Sequence, residues 1–288
     1  MIVGIIGCGL IGSSLALAFQ DNKDVTTILI CDNNPDHLEI ARQKNLGHEY
    51  FKNPEKIADR ADVIFICTPL DDIFSVAKII SPYLSKHTII SDVGSVKAGI
   101  SKDIPELLPK DCQFIPGHPV AGTEFSGPEA GRKDLFTNRK YILTPSAPVP
   151  DRDLETLHAL IASTGAEIEH MDPHEHDQIF AITSHLVHVL AFSAVLNAER
   201  ADKISTDRIF EMAGPSFSDL TRVARSDPDM WEDIFRHNAE NISDTVERFI
   251  KQIRLFCEGF EGGDPEKIRE LICKARELKL QQLKYEKL

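Results

Sequence analysis

"MIVGIIGCGLIGSSLALAF" occupies residues 1–19. Ile2–Ile6 reads as a strand, and a helical pattern opens at Ser13. Between them Gly7, Gly9 and Gly12 stand in G-x-G-x-x-G spacing. The first glycine permits a tight turn, the second lets backbone approach a pyrophosphate, and the third lets helix and strand pack closely. The helix that follows presents unpaired N–H groups to phosphate charge. A second strand, Thr27–Cys31, runs into Asp32, twenty residues past Gly12. A carboxylate there suits a ribose 2′-hydroxyl and repels a 2′-phosphate, so NAD is favoured over NADP. A glycine-rich turn without a ligand is the alternative, and the strand–loop–helix–strand–Asp order argues against it.

The same alternation continues outward. Pro35–Lys44 and Asp72–Ile80 read as helices, Val63–Cys67 and Thr88–Val93 as strands, and Phe114–Ile115 and Tyr141–Thr144 as short strands. Leu154–Ser163 is a helix and Ala166–Met171 a last strand. Near-continuous apolar strands separated by helices indicate a doubly wound parallel α/β sheet of Rossmann type. After Asp172 strand-like runs cease and long helical patterns take over, with Ile242, Val246, Phe249, Ile250, Ile253 and Phe256 on one stripe. The expected organisation is an NAD-binding domain over 1–172 and an all-α domain over 173–288.

The formal net charge of −13 argues against a general nucleic-acid binder, while a few convergent Arg and His can make a locally positive pocket. Six cysteines without a C-x-x-C pair fit free thiols in a cytoplasmic protein. The start lacks a basic leader and is taken as a strand, not a signal peptide. No run of ~18 apolar residues suggests a membrane span.

In doubly wound sheets ligands bind beyond the carboxyl ends of the strands. Those ends carry the loop Gly7, Gly9, Leu10, Ile11, Gly12, then Asp32, Thr68–Pro69, Ser95 and Gly117–His118. "FIPGHPVAGTEFSG", 114–127, braces one imidazole between Pro116 and Pro119. It is a surface turn that happens to hold histidine, or a side chain held beside the nicotinamide; its sheet edge favours the second. "TSHLVH", 183–188, puts Ser184 and His188 on one helical face. With "HEHD" at 174–177 it raises the question of metal, but neither matches a ligand pattern such as H-E-x-x-H, and no metal is expected. "SFSDLTRVARSDPDMW", 216–231, carries Arg222, Arg225 and the lone tryptophan, Trp231; arginine suits bidentate carboxylate binding, though most arginines are solvated surface charges.

Together "GCGLIGSSLA" (7–16), "SDVGSVK" (91–97), "GHPVAGTEFSG" (117–127), "SHLVH" (184–188) and "DLTRVARSDPDMW" (219–231) resemble the prephenate/arogenate dehydrogenase (cyclohexadienyl dehydrogenase) family of tyrosine biosynthesis. The resemblance spans almost the whole chain. It implies a Rossmann domain followed by a helical dimerisation domain, hence a homodimer acting on a small molecule, prephenate or arogenate. The implied reaction is NAD-dependent oxidative decarboxylation, with hydride leaving the ring C4 and the ring carboxylate leaving as CO₂. By motif position His118 matches the histidine that takes the C4 hydroxyl proton and Ser95 the serine that hydrogen-bonds it. Arg222 matches the arginine that holds a substrate carboxylate. Ser184, His188, Glu124 and Trp231 match residues lining the pocket.

Two departures stand out: Val187 where the family usually has proline, and Ser218 where a basic residue is common. No ACT-type or chorismate mutase extension is expected, and any feedback by tyrosine is expected at the active site itself. Two rival readings share the cofactor loop. A β-hydroxyacid-type dehydrogenase would lean on a lysine in the helical domain. A non-catalytic NAD-binding regulator would not need His118, Ser95 and Arg222 together.

Overall fold

The computed structural model describes residues 1–123, 125–201 and 204–285. Six strands form one parallel sheet: β1 (Ile2–Ile6), β2 (Thr27–Cys31), β3 (Glu49–Phe51), β4 (Val63–Ile66), β5 (Ile89–Asp92) and β6 (Gln113–Phe114), in spatial order β3-β2-β1-β4-β5-β6. The connecting helices are α1 (Leu10–Phe19), α2 (Pro35–Gln43), the one-turn α3 (Glu55–Ala58), α4 (Leu70–Ile80) and α5 (Ala98–Leu107). Strand residues alternate between two cores: Val3, Ile5, Ile28, Ile30, Val63 and Phe65 face one, and Ile6, Leu29, Cys31, Ile64 and Ile66 the other. Burial on both faces is why these strands read as continuous apolar runs. This is the expected doubly wound Rossmann sheet. The strand Glu49–Phe51 was not anticipated: its three half-buried residues at the sheet edge are too few to show a period.

A second sheet departs from expectation. The strands β7 (Gly117–Pro119), β8 (Lys140–Leu143) and β9 (Glu167–His170) pair in that order, β7–β8 antiparallel and β8–β9 parallel. His118 is therefore the middle residue of an edge strand, opposite Ile142, and not part of a turn. Pro119 is tolerated because an edge strand leaves one row of N–H groups unused. The helix α6 (Asp151–Ala162) connects β8 to β9.

Past Asp172 come α7 (Pro173–Phe180), a π-helical turn over Ala181–His185, and α8 (Leu186–Glu199), which form one continuous helix. It is long and apolar enough to cross a membrane by length and composition, contrary to the reading that no segment reaches that length. Buried hydrogen bonds from its polar residues, described below, fix it to the Rossmann elements instead. The short α9 (Thr206–Glu211) and α10 (Pro215–Thr221) lead to α11 (Pro228–His237), whose Trp231 and Ile234 join the core that contains α4 and α5. These helices pack back onto the Rossmann layer, and by contact the chain forms one compact unit over Met1–Ala239. The second unit, Glu240–Leu288, holds most of α12 (Ala239–Glu261) and all of α13 (Pro265–Gln282). Asp264 caps α13 by accepting the Lys267 N–H at 3.0 Å, and Ile250, Ile253, Phe260 and Ile272 are exposed.

Candidate active site

The glycine loop is built as its spacing requires. Gly7 has φ +95°, a region costly for any side chain, and donates its N–H to Cys31 O at 2.8 Å. A Cβ at Gly12 would stand 2.0 Å from the Gly7 carbonyl oxygen, so only glycine lets α1 start this close to β1. Over Gly9 the space is open: nothing lies within 4 Å of a Cβ placed there, and no side chain caps the helix. Leu10 and Ile11, half-buried, begin α1. That opening over uncapped N–H groups fits a diphosphate.

Asp32 is buried and already engaged. It accepts the Cys8 N–H at 2.8 Å and the Asn34 N–H at 2.9 Å, and His37 Nδ1 stands 3.4 Å away. The carboxylate thus locks the end of β2 to the glycine loop. Cys8, Asp32 and His37 also bring ligand-type atoms within 4.8 Å of one another. Burial and the Asp32 charge push the Cys8 thiol far above its ordinary range, which keeps it protonated and a poor metal ligand. At the end of β4, Thr68 Oγ1 is buried with no hydrogen-bond partner among the described residues, and Pro69 is exposed at the start of α4. An orphaned hydroxyl costs about 1–3 kcal/mol until a ligand or water meets it.

Beyond β5 the chain turns through half-buried Ser95 to Lys97, which is fully buried. The Lys97 ammonium pairs with Asp92 and donates to the Gly117 carbonyl at 2.8 Å. Asp92 in turn accepts N–H bonds from Gly94 at 2.8 Å and Gly117 at 3.2 Å. Burial pushes the lysine pKa down, and Asp92 opposes this. The pair straps β7 to the end of β5. Gly117 is required by that close approach, since its Cβ would lie 2.8 Å from the Tyr141 ring and 3.0 Å from Asp92 O. His118 inherits this fixed position.

The His118 ring is 7% exposed. Its Nδ1 lies 2.8 Å from His176 Nε2, and His176 Nδ1 lies 2.8 Å from Asp177 Oδ1. Phe180 packs against both rings at centroid distances of 4.7 and 4.5 Å. Asp177 also accepts the backbone N–H groups of Lys97 at 2.7 Å and Ala98 at 2.8 Å. It therefore caps α5, which has no side-chain cap of its own. Burial drives the His118 pKa well below its ordinary value, helped by the neighbouring His176 and Lys97. Burial likewise lowers His176, against the opposing pull of Asp177. Both rings are therefore neutral near pH 7.

The π turn carries Ser184 and His185. Its extra residue per turn shifts the helix phase just before His188, at a place where such turns frequently mark function. His185 is buried, its pKa pushed down to about 4 mainly by that burial. Its Nδ1 lies 3.1 Å from the Asn238 amide, which also donates to Asp177 O at 2.8 Å. His188 Nδ1 meets Ser184 O at 3.0 Å, so these two residues touch through the backbone and not through the serine hydroxyl. Trp231 stacks on His188 at 3.5 Å between centroids and meets His185 edge-on at 6.0 Å. Its Nε1 is buried without a partner among the described residues. Arg222, exposed on a 3-10 turn, is close enough for its charge to depress His188, after burial.

The structure thus brings His118, His188, Trp231 and Arg222 into a linked series through His176, His185 and Asn238. Ser95 sits on the loop that carries Lys97, and Glu124 lies outside the described residues. Sequence reasoning missed His176, Asp177, Lys97, His185 and Asn238 as parts of the site. The usable signal in "HEHD" is His176 and Phe180, four apart on one helical face.

Two family models match this chain: the prephenate dehydrogenase nucleotide-binding domain over residues 15–170 and the prephenate dehydrogenase dimerization domain over 172–274. The chain is 35% identical over 252 residues to cyclohexadienyl dehydrogenase of Zymomonas mobilis, covering 88% of this chain and 86% of that protein. It is 30% identical over 265 residues to prephenate dehydrogenase of Bacillus subtilis, covering 92% of this chain and 71% of the relative. Among solved structures, prephenate dehydrogenase from A. aeolicus in complex with hydroxyphenyl propionate and NAD+ is similar with a TM-score of 0.90 at 31% identity, over 99% of this chain and 98% of that one.

Proposed function

The chain belongs to the prephenate dehydrogenase family, and from that premise we propose that it carries out the NAD-dependent oxidative decarboxylation of prephenate, arogenate or both, in tyrosine biosynthesis. NAD, when bound, supplies the acceptor for the hydride that leaves the ring C4. The chain's own residues bind and orient the substrate and manage one proton. His118 takes the C4 hydroxyl proton, and loss of the ring carboxylate as CO₂ completes an aromatic ring. Ser95 hydrogen-bonds the same hydroxyl. Arg222 holds a substrate carboxylate, with Ser184, His188, Glu124 and Trp231 lining the pocket. The cofactor residues are the loop Gly7–Gly12, Asp32 on the ribose, and Thr68–Pro69.

The observation that carries this reading is His118 itself: buried, kept neutral and immobilised on both sides by the Asp92–Lys97 strap and by His176. A neutral, positioned imidazole is what a proton acceptor near pH 7 requires. We also read the protein as a homodimer, supported by the dimerization-domain match and the exposed apolar residues of α12 and α13, and, from its unpaired cysteines, as cytoplasmic.

The test is a side-by-side assay of prephenate and arogenate with NAD and NADP, following reduced nucleotide and CO₂ together. Equal yields of the two products are expected with NAD. His118→Ala should lower kcat by roughly 10²–10⁴-fold with NAD affinity little changed. Absence of turnover with both substrates, or a near-normal kcat in the variant, would overturn the reading.

A further inference from the structure

We infer that His176 and Asp177 are positioning residues that fix the His118 imidazole with its proton on Nδ1, leaving the Nε2 lone pair as the base. This rests on the reading of His118 as proton acceptor and adds which nitrogen acts and what selects it.

The argument is a count of donors and acceptors along one chain. The Asp177 carboxylate accepts two backbone N–H bonds, from Lys97 and Ala98, at the N-terminus of the ten-residue α5. That position favours negative charge, and an ionised carboxylate only accepts. His176 Nδ1, 2.8 Å from Asp177 Oδ1, must therefore carry the hydrogen. A neutral imidazole has one N–H, so His176 Nε2 is an acceptor. Among the described residues, the partner placed to donate to it is His118 Nδ1, at 2.8 Å. His118 then has its own single N–H on Nδ1. Every assignment follows from a backbone donor that cannot change its role, so the choice of tautomer propagates from α5 outward.

The geometry makes this choice robust. His176 is 0% and Asp177 2% exposed, so water does not compete for either nitrogen. The alternative tautomer of His118 would set a lone pair against the lone pair of His176 Nε2 at 2.8 Å. When Nε2 accepts the substrate proton, the O–H bond breaks and an N–H bond forms. The positive charge on His118 is then met through the Nδ1–H bond by a ring whose far side is tied to Asp177. No second proton has to move. The same logic, a carboxylate holding an imidazole in its working tautomer, operates in Ser-His-Asp sites; here one more imidazole intervenes. Among the described residues, Lys97 and His185 also disfavour charge on His118 and so keep the resting ring neutral.

Proton–nitrogen correlation NMR of ring-labelled histidines at neutral pH reads the tautomer with no substrate present. The wild-type His118 signals should show a protonated Nδ1 and a bare Nε2. His176→Leu removes the acceptor, whereas His176→Gln puts an amide oxygen within reach of the same Nδ1–H. In steady-state assays His176→Leu should lower kcat by about 10–100-fold, part of what an acid–base group supplies, with KM within about 3-fold. His176→Gln should recover most of that loss. A wild-type His118 with its proton on Nε2, or a Gln variant as slow as the Leu variant, would overturn the inference. Because the NMR readout needs no turnover, an inactive enzyme would challenge the proposed reaction and leave the tautomer result standing.

Discussion

Replacing Lys97 with methionine probes how His118 is held. Methionine has nearly the length of lysine but neither charge nor donors. The change removes the ion pair to Asp92 and the bond to the Gly117 carbonyl, both in a fully buried setting. Asp92 keeps its bonds from the Gly94 and Gly117 N–H groups but becomes a buried charge without a counter-ion. Breaking a buried pair from one side typically costs about 3–5 kcal/mol, mostly the cost of the abandoned charge. The orphaned Gly117 carbonyl falls within that range rather than adding to it. Urea unfolding followed by Trp231 fluorescence is the assay, because this lone tryptophan is buried in the unit that contains the pair. With a slope of about 3 kcal/mol/M the midpoint should fall by about 1–2 M. Adding Asp92→Asn removes the stranded charge while leaving an oxygen for one N–H, so the double variant should be about 1–3 kcal/mol more stable than Lys97→Met alone. A midpoint shift under ~0.3 M, or a double variant no better than the single, would refute the claim that the pair is what fastens β7 to β5.

Three further outcomes follow from the same geometry. Burial puts the folded His185 pKa at about 4, below the ordinary 6.5, so the unfolded chain binds the extra proton first. Stability should be complete above the unfolded value and fall as pH drops from 6.5 toward 4, by on the order of 3 kcal/mol from this residue; His118 and His176, also lowered, act with the same sign. A urea midpoint unchanged between pH 7 and pH 5 would contradict that burial. Arg222→Ala should raise KM by about 10–100-fold with kcat nearly kept, a loss of ~1.5–3 kcal/mol suited to an exposed guanidinium rather than a buried one, and an unchanged KM would remove it from the site. Asp32→Ala should weaken NAD binding by about 10-fold or more and narrow the preference over NADP, as read by calorimetric titration; an unaltered preference would leave Asp32 only its bonds to the Cys8 and Asn34 N–H groups.

The legible part of the site was the part written in short-range pattern. The glycine spacing, the strand before it and Asp32 after it lie within one βαβ unit, so the fold of that unit and its cofactor loop could be read together. The five motifs carried the family, and the resemblance pointed to His118, Ser95 and Arg222 as candidates. The strand around His118 was harder. β7 is three residues long, with proline at its end and glycine at its start, and it pairs antiparallel with a strand more than twenty residues later. Such a strand has neither the length nor the composition that marks one. The π turn was invisible for a related reason: its effect is one extra residue per turn, and a helical pattern with Ser184 and His188 four apart looks the same with or without it.

By itself the sequence determined the doubly wound sheet, the nucleotide loop and the family, because strand and helix periods and glycine requirements are imposed by neighbours a few residues away. Tertiary structure alone decided that His118 leans on His176, 58 residues on, and that Asp177 caps a helix beginning 79 residues before it. It also decided that α7 to α11 belong to the same compact unit as the Rossmann sheet. The reason is that a buried hydrogen bond between distant segments leaves no period in either one: a histidine bound for the core and a histidine bound for solvent occupy the same kind of helix until the chain has folded around them.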